Sequence, residues 1–266
     1  MLTSVRGLVA ATVLAGCALT ATPAFADDTA PPSPFTVSAS AAVVSQYRFR
    51  GISQSDNKPA IQGSITLKHE SGFYLSTWGS STAADGSKTA VYPGGTEIDV
   101  YGGYTHAFGP LTIDVGGYGY LYPNVSENNY YEVYGSVAGA IGPVTAKAGI
   151  NYAPGQEYFK FYGVTNHNVY IYGELGGSIP GTPLAVHTHI GYTDGGLRYY
   201  GKNYLDYSAG VSYTWNHLTL DASVVGTDYS KSDANFYNGC GGAASCISYF
   251  HRPAKTVAVV SLTASF

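Results

Sequence analysis

The chain is 266 residues long, and only 11% of them are Asp, Glu, Lys or Arg, less than half the roughly 25% typical of soluble globular domains. Much of its surface therefore need not face water. A net charge of −4 and a pI near 5.9 supply no basic face and exclude nucleic acid as a partner. The 34 Gly and 25 Tyr favour tightly turning, aromatic-rich β structure over helix, because Gly weakens helices and Tyr fits a pleated surface.

The N-terminus reads as an export signal. Arg6 forms a minimal positive region, Gly7–Thr20 an apolar run, and Ala24-Phe25-Ala26 an A-x-A cleavage site before Asp27. Cleavage after Ala26 leaves a mature domain of residues 27–266. Leu14-Ala15-Gly16-Cys17 is a competing lipoprotein-type site, which would place an acylated Cys17 at the new terminus. Beyond the signal no apolar run approaches the ~18 residues that a membrane-spanning helix needs, which excludes a helical inner-membrane protein.

From Phe35 onward polar and apolar residues alternate with period two. The pattern predicts strands near 35–50, 59–69, 73–80, 95–107, 111–121, 129–140, 144–152, 168–179, 184–193, 203–215, 218–228 and 255–266. In the second, Ile61, Gly63, Ile65 and Leu67 oppose Gln62, Ser64, Thr66 and Lys68; in the last, Ala258, Val260, Leu262, Ala264 and Phe266 share a face. Short turns at 70–72, 108–110, 141–143, 180–183 and 216–217 alternate with polar loops near 51–58, 81–94, 122–128, 153–167, 194–202 and 229–254. An even strand number with short turns on one side and long loops on the other is the pattern of a transmembrane antiparallel up-and-down β-barrel of about 12 strands. A soluble sandwich also alternates, but has no reason to keep that alternation of connections.

Aromatic placement adds weight. Phe35, Phe73, Phe108, Trp215 and Phe266 sit at the short-turn ends, and Tyr47, Tyr120, Tyr131, Tyr152, Tyr192 and Tyr204 towards the loops. Two such belts bracketing an apolar band are what a barrel presents to outer-membrane lipid. Phe266 on an alternating last strand has the form of the signal by which the barrel assembly machinery recognises its substrates. In the last loop, Cys240 and Cys246 pair as a disulfide if the chain is exported, closing a loop worth roughly 2 kcal/mol in the chain-entropy model. The bland alternative is two unpaired small residues. Zinc is disfavoured, since no second Cys or His pair stands at a metal-site spacing.

The segment Ser45-x-Tyr47-x-Phe49-Arg50-Gly51-Ile52-Ser53-Gln54-Ser55, then Pro59-Ala60-x-Gln62-Gly63 and Ser71-Gly72-Phe73-Tyr74-x-x-x-Trp78, resembles the opening of the TorF family of proteobacterial porins. Glu97-Ile98-Asp99-x-Tyr101-x-Gly103-Tyr104, Asp114-x-Gly116 and Tyr120-x-Tyr122-Pro123 extend the resemblance. It implies a single Gram-negative outer-membrane barrel with a transport function, without catalytic residues. The long Cys-bearing loop is not part of the family pattern.

If the apolar face meets lipid, the opposite face lines a lumen and collects the strand charges. These are Arg48, Arg50, Lys68 and Lys147 against Glu97, Asp99, Asp114, Glu132, Glu174, Asp206 and Asp221. A barrel of about twelve strands has a backbone radius of roughly 12 Å and leaves a passage of about 10 Å or less, enough for ions and small solutes. The acidic excess predicts a mild cation preference, with Arg48 and Arg50 facing Glu97 and Asp99 across a constriction. The alternative is a plugged barrel whose wall charges simply pair. The Tyr on this face, among them Tyr101, Tyr118, Tyr134, Tyr170 and Tyr172, are either filler or stacking surfaces.

An enzyme is a rival class, yet no Gly-x-Ser-x-Gly elbow, His-Glu-x-x-His or phosphate-binding loop occurs, and no cofactor or metal is expected. His187 and His189 stand side by side on the predicted lumen face, more readily polar wall than ligands. A structural or adhesive barrel acting through its loops is the third class; the oligomeric state is not legible. Mass spectrometry of the purified chain is expected to find Asp27 as the first residue. A lipid-bearing Cys17 terminus is the contrary outcome.

Overall fold

The computed structural model describes residues 33–85, 91–161 and 163–266; the export signal and Cys17 lie outside them. Twelve barrel strands follow in chain order. They are β1 (Phe35–Val44), β2 (Ala60–His69), β3 (Phe73–Ser81), β4 (Thr96–Phe108), β5 (Leu111–Leu121) and β6 (Tyr130–Ile141). The second half comprises β7 (Val144–Ala153), β8 (Asn168–Ser178), β9 (Leu184–Gly195), β10 (Tyr204–Trp215), β11 (Leu218–Thr227) and β12 (Val257–Ser265). Each pairs antiparallel with its sequence neighbours and β1 pairs with β12, closing an up-and-down barrel.

The short turns lie where the sequence predicts them. Gly109 and Gly142, each followed by Pro, have φ of 61° and 63°. Pro cannot take the positive φ of the second position of a type I′ turn, so the Gly-Pro pair selects type II′, which needs Gly first.

Parity assigns every wall residue. The large apolar side chains, from Val37 and Ile65 to Leu220 and Leu262, are exposed on the outer wall. Phe35, Phe73, Phe108, Trp215 and Phe266 are exposed at the short-turn rim, and Tyr131, Tyr152 and Tyr192 at the loop rim. Tyr47, Tyr120 and Tyr204 do not belong to that outer belt: all three are buried. Tyr120 stands one residue out of phase with outward Ile113 and Val115, Tyr204 shares its face with Asp206, and Tyr47 lies beyond the end of β1.

β1 is the one strand whose predicted extent is substantially wrong. It ends at Val44, not near 50, because at Ser45 the chain turns into the lumen. Val44 still pairs with Ala60 on one side and Ser261 on the other. Beyond it, one backbone bond and two side-chain bonds continue the contact with β12. Ser45 N donates to Val260 O at 2.8 Å, Val260 N donates to Ser45 Oγ at 2.9 Å, and Gln46 Nε2 donates to Ala258 O at 3.3 Å.

The 229–254 connection is not a bare loop. It holds α1 (Lys231–Tyr237) and α2 (Ala244–His251). Ser230 and Asp233 form a reciprocal capping box at the start of α1. Helices this short carry too little periodicity to be visible in sequence; the Ser-x-x-Asp cap was their one signal. Cys240, between the helices, is disulfide-bonded to Cys246 in α2. Thiol labelling of the unreduced, denatured mature chain is therefore expected to find neither cysteine; labelling of both would refute the bridge.

Candidate functional site

Residues 45–58 form an internal plug. Arg48–Phe49 pairs with Ile52–Ser53 in a minute hairpin, with Arg50 (φ 46°) and Gly51 (φ 79°) at its tip. A Cβ at Gly51 would stand 2.6 Å from Thr227 Cγ2 and 2.8 Å from Gly226 O, so the tip fits against β11 only without a side chain.

Arg50, 4% exposed, is the plug's anchor. Its Nη2 donates to both oxygens of Glu132 on β6, at 2.9 and 2.6 Å. Its guanidinium carbon lies 4.1 Å from the centroid of the Tyr170 ring on β8, a cation–π contact. Glu132 also accepts from Tyr120 Oη at 3.2 Å and Asn151 Nδ2 at 3.0 Å, which orients the carboxylate for Arg50. Arg48 behaves differently. Its donors go to Gln46 Oε1, Gly51 O, Pro253 O and Asn57 Oδ1 at 2.6–3.0 Å, all neutral acceptors.

The predicted arrangement of Arg48 and Arg50 on the first strand, facing Glu97 and Asp99, is thus corrected. Both arginines belong to the plug; among the described residues Arg50 pairs with Glu132 and Arg48 with no acid. Extrapolating the alternation past Val44 gave the inward direction but not the departure from the wall.

A helical lid covers the plug. Ser53 N donates to Pro253 O at 3.0 Å, Asn57 Nδ2 to Arg252 O at 3.2 Å, and Arg252 forms an ion pair with Asp56. Ile52 packs with Tyr199, Tyr204, Tyr229, Ala234 and Ala254. Plug and lid are therefore one packed unit at the loop end.

Burial falls along the lumen from loop end to turn end. Glu97, Asp99, Glu132, Asp206, Asn168 and Tyr130 are fully buried in the loop half, whereas Lys147 and Asp221 keep 27% and 24% of their side chains exposed further down. Lys68 is exposed at the turn rim. The lower wall carries its own pairs. Lys147 Nζ lies 3.9 Å from Glu174 Oε2, and His189 Nδ1 lies 3.4 Å from Glu174 Oε1. His189 Nε2 is 3.0 Å from Asp206 Oδ1 and 2.8 Å from Tyr170 Oη. Asp114 accepts from Tyr74 Oη at 2.9 Å.

His187 Nε2 and Ser223 Oγ both bond Asp221, at 2.6 and 2.5 Å. The carboxylate sits between the other two, the reverse of a hydrolytic arrangement in which His contacts the Ser hydroxyl. Among the described residues no three His, Cys, Asp or Glu side chains form a metal cage. Among the predicted wall residues, those on barrel strands keep inward parity, whereas Arg48 and Arg50 stand free of the wall. Of the loop-half partners, the sequence reads Tyr118 as lumen-facing and assigns Tyr47 and Tyr204 to the outer belt, and it singles out neither Asn168 nor Thr193.

The Arg50–Glu132 pair yields a direct test. Replacing Glu132 by Gln leaves a buried guanidinium without its counter-charge, a loss of about 3–5 kcal/mol, and is expected to loosen the plug while the barrel stays folded. Trypsin would then cut after Arg48 or Arg50 in the variant and not in the wild type; equal resistance would contradict the anchor role.

No curated protein matches the chain. Solved structures of similar shape include outer membrane phospholipase A from Escherichia coli, 11% identical over 89% of this chain and 94% of that one, with a TM-score of 0.47. Another is OmpF from Salmonella typhi in complex with daunomycin, 9% identical over 87% and 97%, TM-score 0.41. A third is an anion-selective porin from Comamonas acidovorans, 7% identical over 87% and 98%, TM-score 0.37. The family described as "Bacterial protein of unknown function (Gcw_chp)" matches residues 28–266, and the chain belongs to it.

Proposed function

We propose that the protein is a porin-like barrel of a Gram-negative outer membrane, which passes ions or small solutes when its plug is displaced and is shut in the plugged form. The observation that carries this reading is the combination of a closed barrel, an apolar outer wall rimmed by aromatics, and a charged inner wall. Closed barrels satisfy all backbone groups internally, the condition for spanning hydrocarbon with strands. The resemblance of the first half to TorF-family porins points the same way. In this reading Phe266 is the assembly signal; its N and O both pair with Ala39, at 2.9 and 3.1 Å, so the last residue also fastens the closing seam.

The relocation of the arginines sharpens the selectivity argument. With the plug withdrawn, Arg48 and Arg50 leave the lumen. The remaining wall has Glu97, Asp99, Asp114, Glu132, Glu174, Asp206 and Asp221 against Lys68 and Lys147, a stronger cation preference than the full set implies. We also propose that the barrel is not an enzyme: among the described residues, Asp221 stands where a hydrolase would need His187 against Ser223. The second reading, a permanently plugged structural barrel, is favoured by the burial of nearly the whole 46–56 segment.

Planar-bilayer recording separates the two. Refolded wild type is expected to conduct rarely, and Glu132→Gln to conduct often, with a cation-directed reversal potential that fades towards 1 M salt as the Debye length falls to about 3 Å. Silence of both proteins would leave the structural barrel as the function.

A further inference from the structure

The turn half of the lumen has two unlike walls. On one rung across β3–β6, Tyr74, Gly103, Gly116 and Tyr134 stand side by side. The two tyrosines fold over the two glycines until their hydroxyls hydrogen-bond each other, and Tyr74 Oη also donates to Asp114 at 2.9 Å. A Cβ at Gly116 would stand 2.5 Å from Tyr134 Oη and 2.7 Å from its Cζ, so the ring lies flat on the wall only because glycine is beneath it. Tyr172 on β8 repeats the device over Gly149, where a Cβ would stand 2.6 Å from Cε1. A tyrosine that merely filled the lumen would project across it. These rest one face on backbone and turn the other inwards, and both Tyr134 and Tyr172 are only half-buried.

The wall on the other side of the barrel, β10–β12, is small and hydroxylated. Ser212, Asp221 and Ser261 share one rung there, with Thr263 nearer the turns, and all four are half-buried. We propose that this chamber binds neutral saccharides, entered from the short-turn end because the plug fills the loop half. A pyranose ring has an apolar C–H face and a rim of hydroxyls. The negative π-face of a flat tyrosine attracts the first, and the hydroxyls and Asp221 on the facing wall hydrogen-bond the second. Lys147 Nζ, 5.3 Å from the Tyr172 ring centroid, adds a donor beside the platform. Asp114, Glu174 and Asp221 outnumber Lys147 and repel anionic solutes, while a purely aromatic solute would leave the hydroxyl wall unpaired.

The assignment names the solute class of the lumen proposed above as a pore, and in that sense rests on that reading. Binding from the turn end is nevertheless measured without ion flux. A barrel that binds saccharide but never conducts keeps the site and loses the pore; one that conducts but binds none keeps the pore and loses the site.

The test is isothermal titration of the refolded mature chain, in a detergent without a sugar headgroup, with maltotriose, cellotriose and xylotriose. At least one is expected to bind saturably. Tyr134→Ala and Tyr172→Ala should each weaken that binding about three- to tenfold, the worth of one aromatic face. Tyr172→Phe keeps the face and should bind as wild type does. Tyr213→Ala, on the outer wall, should leave binding unchanged, and trigalacturonate, of similar size but anionic, should bind more weakly than the neutral sugar. Circular dichroism checks that each variant is folded. No saturable heat with any of the three sugars, binding left intact in both folded alanine variants, an equal loss in Tyr213→Ala, or stronger binding of trigalacturonate would overturn the site.

Discussion

Closure of the sheet is the constraint from which everything else follows. Once β1 pairs with β12, every strand residue has only two directions available, towards the outside or towards the lumen, and register fixes which. The outer set is Val, Ile, Leu and aromatic; the inner set carries the charges and small polar groups. The seam itself is short. β1 and β12 share the pairs from Ser40–Ser265 to Val44–Ser261, after which Ser45 and Gln46 take over the hydrogen bonds of the β12 edge and the chain turns inwards. The same point that completes the barrel therefore starts the segment that fills it.

Filling divides the lumen into two electrostatic regimes. In the loop half, Arg50, Glu132, Glu97, Asp99 and Asp206 are removed from water, so their interactions are little screened and each unpaired atom is expensive. In the turn half, Lys147, Asp221 and Lys68 keep contact with solvent, so even the short His187–Asp221 contact is screened and Lys147–Glu174 is long. The ion pair that matters for position is accordingly Arg50–Glu132, with its two short contacts and aromatic cover, and not Lys147–Glu174 at 3.9 Å.

Strand number, order, turns and wall orientation were legible because period-two alternation and two-residue turns are local signals. The interior was legible only as a face. That Arg48 and Arg50 point inwards is written in their parity; that they belong to a hairpin standing free of the wall is not, because the break at Ser45 leaves the alternation of 45–50 unchanged and only tertiary packing reveals it. Tyr120 and Tyr204 show the converse. Their parity was available, but proximity to the loop end suggested a lipid-facing belt. α1 and α2 escaped notice for a different reason, as seven- and eight-residue helices held by a cap, a disulfide and the plug beneath them.

The pairing of Val44 with Ala60 has a mechanical meaning. The chain leaves the wall and returns to it at facing residues, so the plug is a closed loop whose two ends are already joined by the barrel. Swinging it out would require no strand to unzip and no seam to open, only the parting of its contacts with the wall and with the lid at Arg252 and Pro253. The barrel's rigidity and the plug's freedom are decoupled at that one rung, and the energy of opening resides in the contacts of the loop alone.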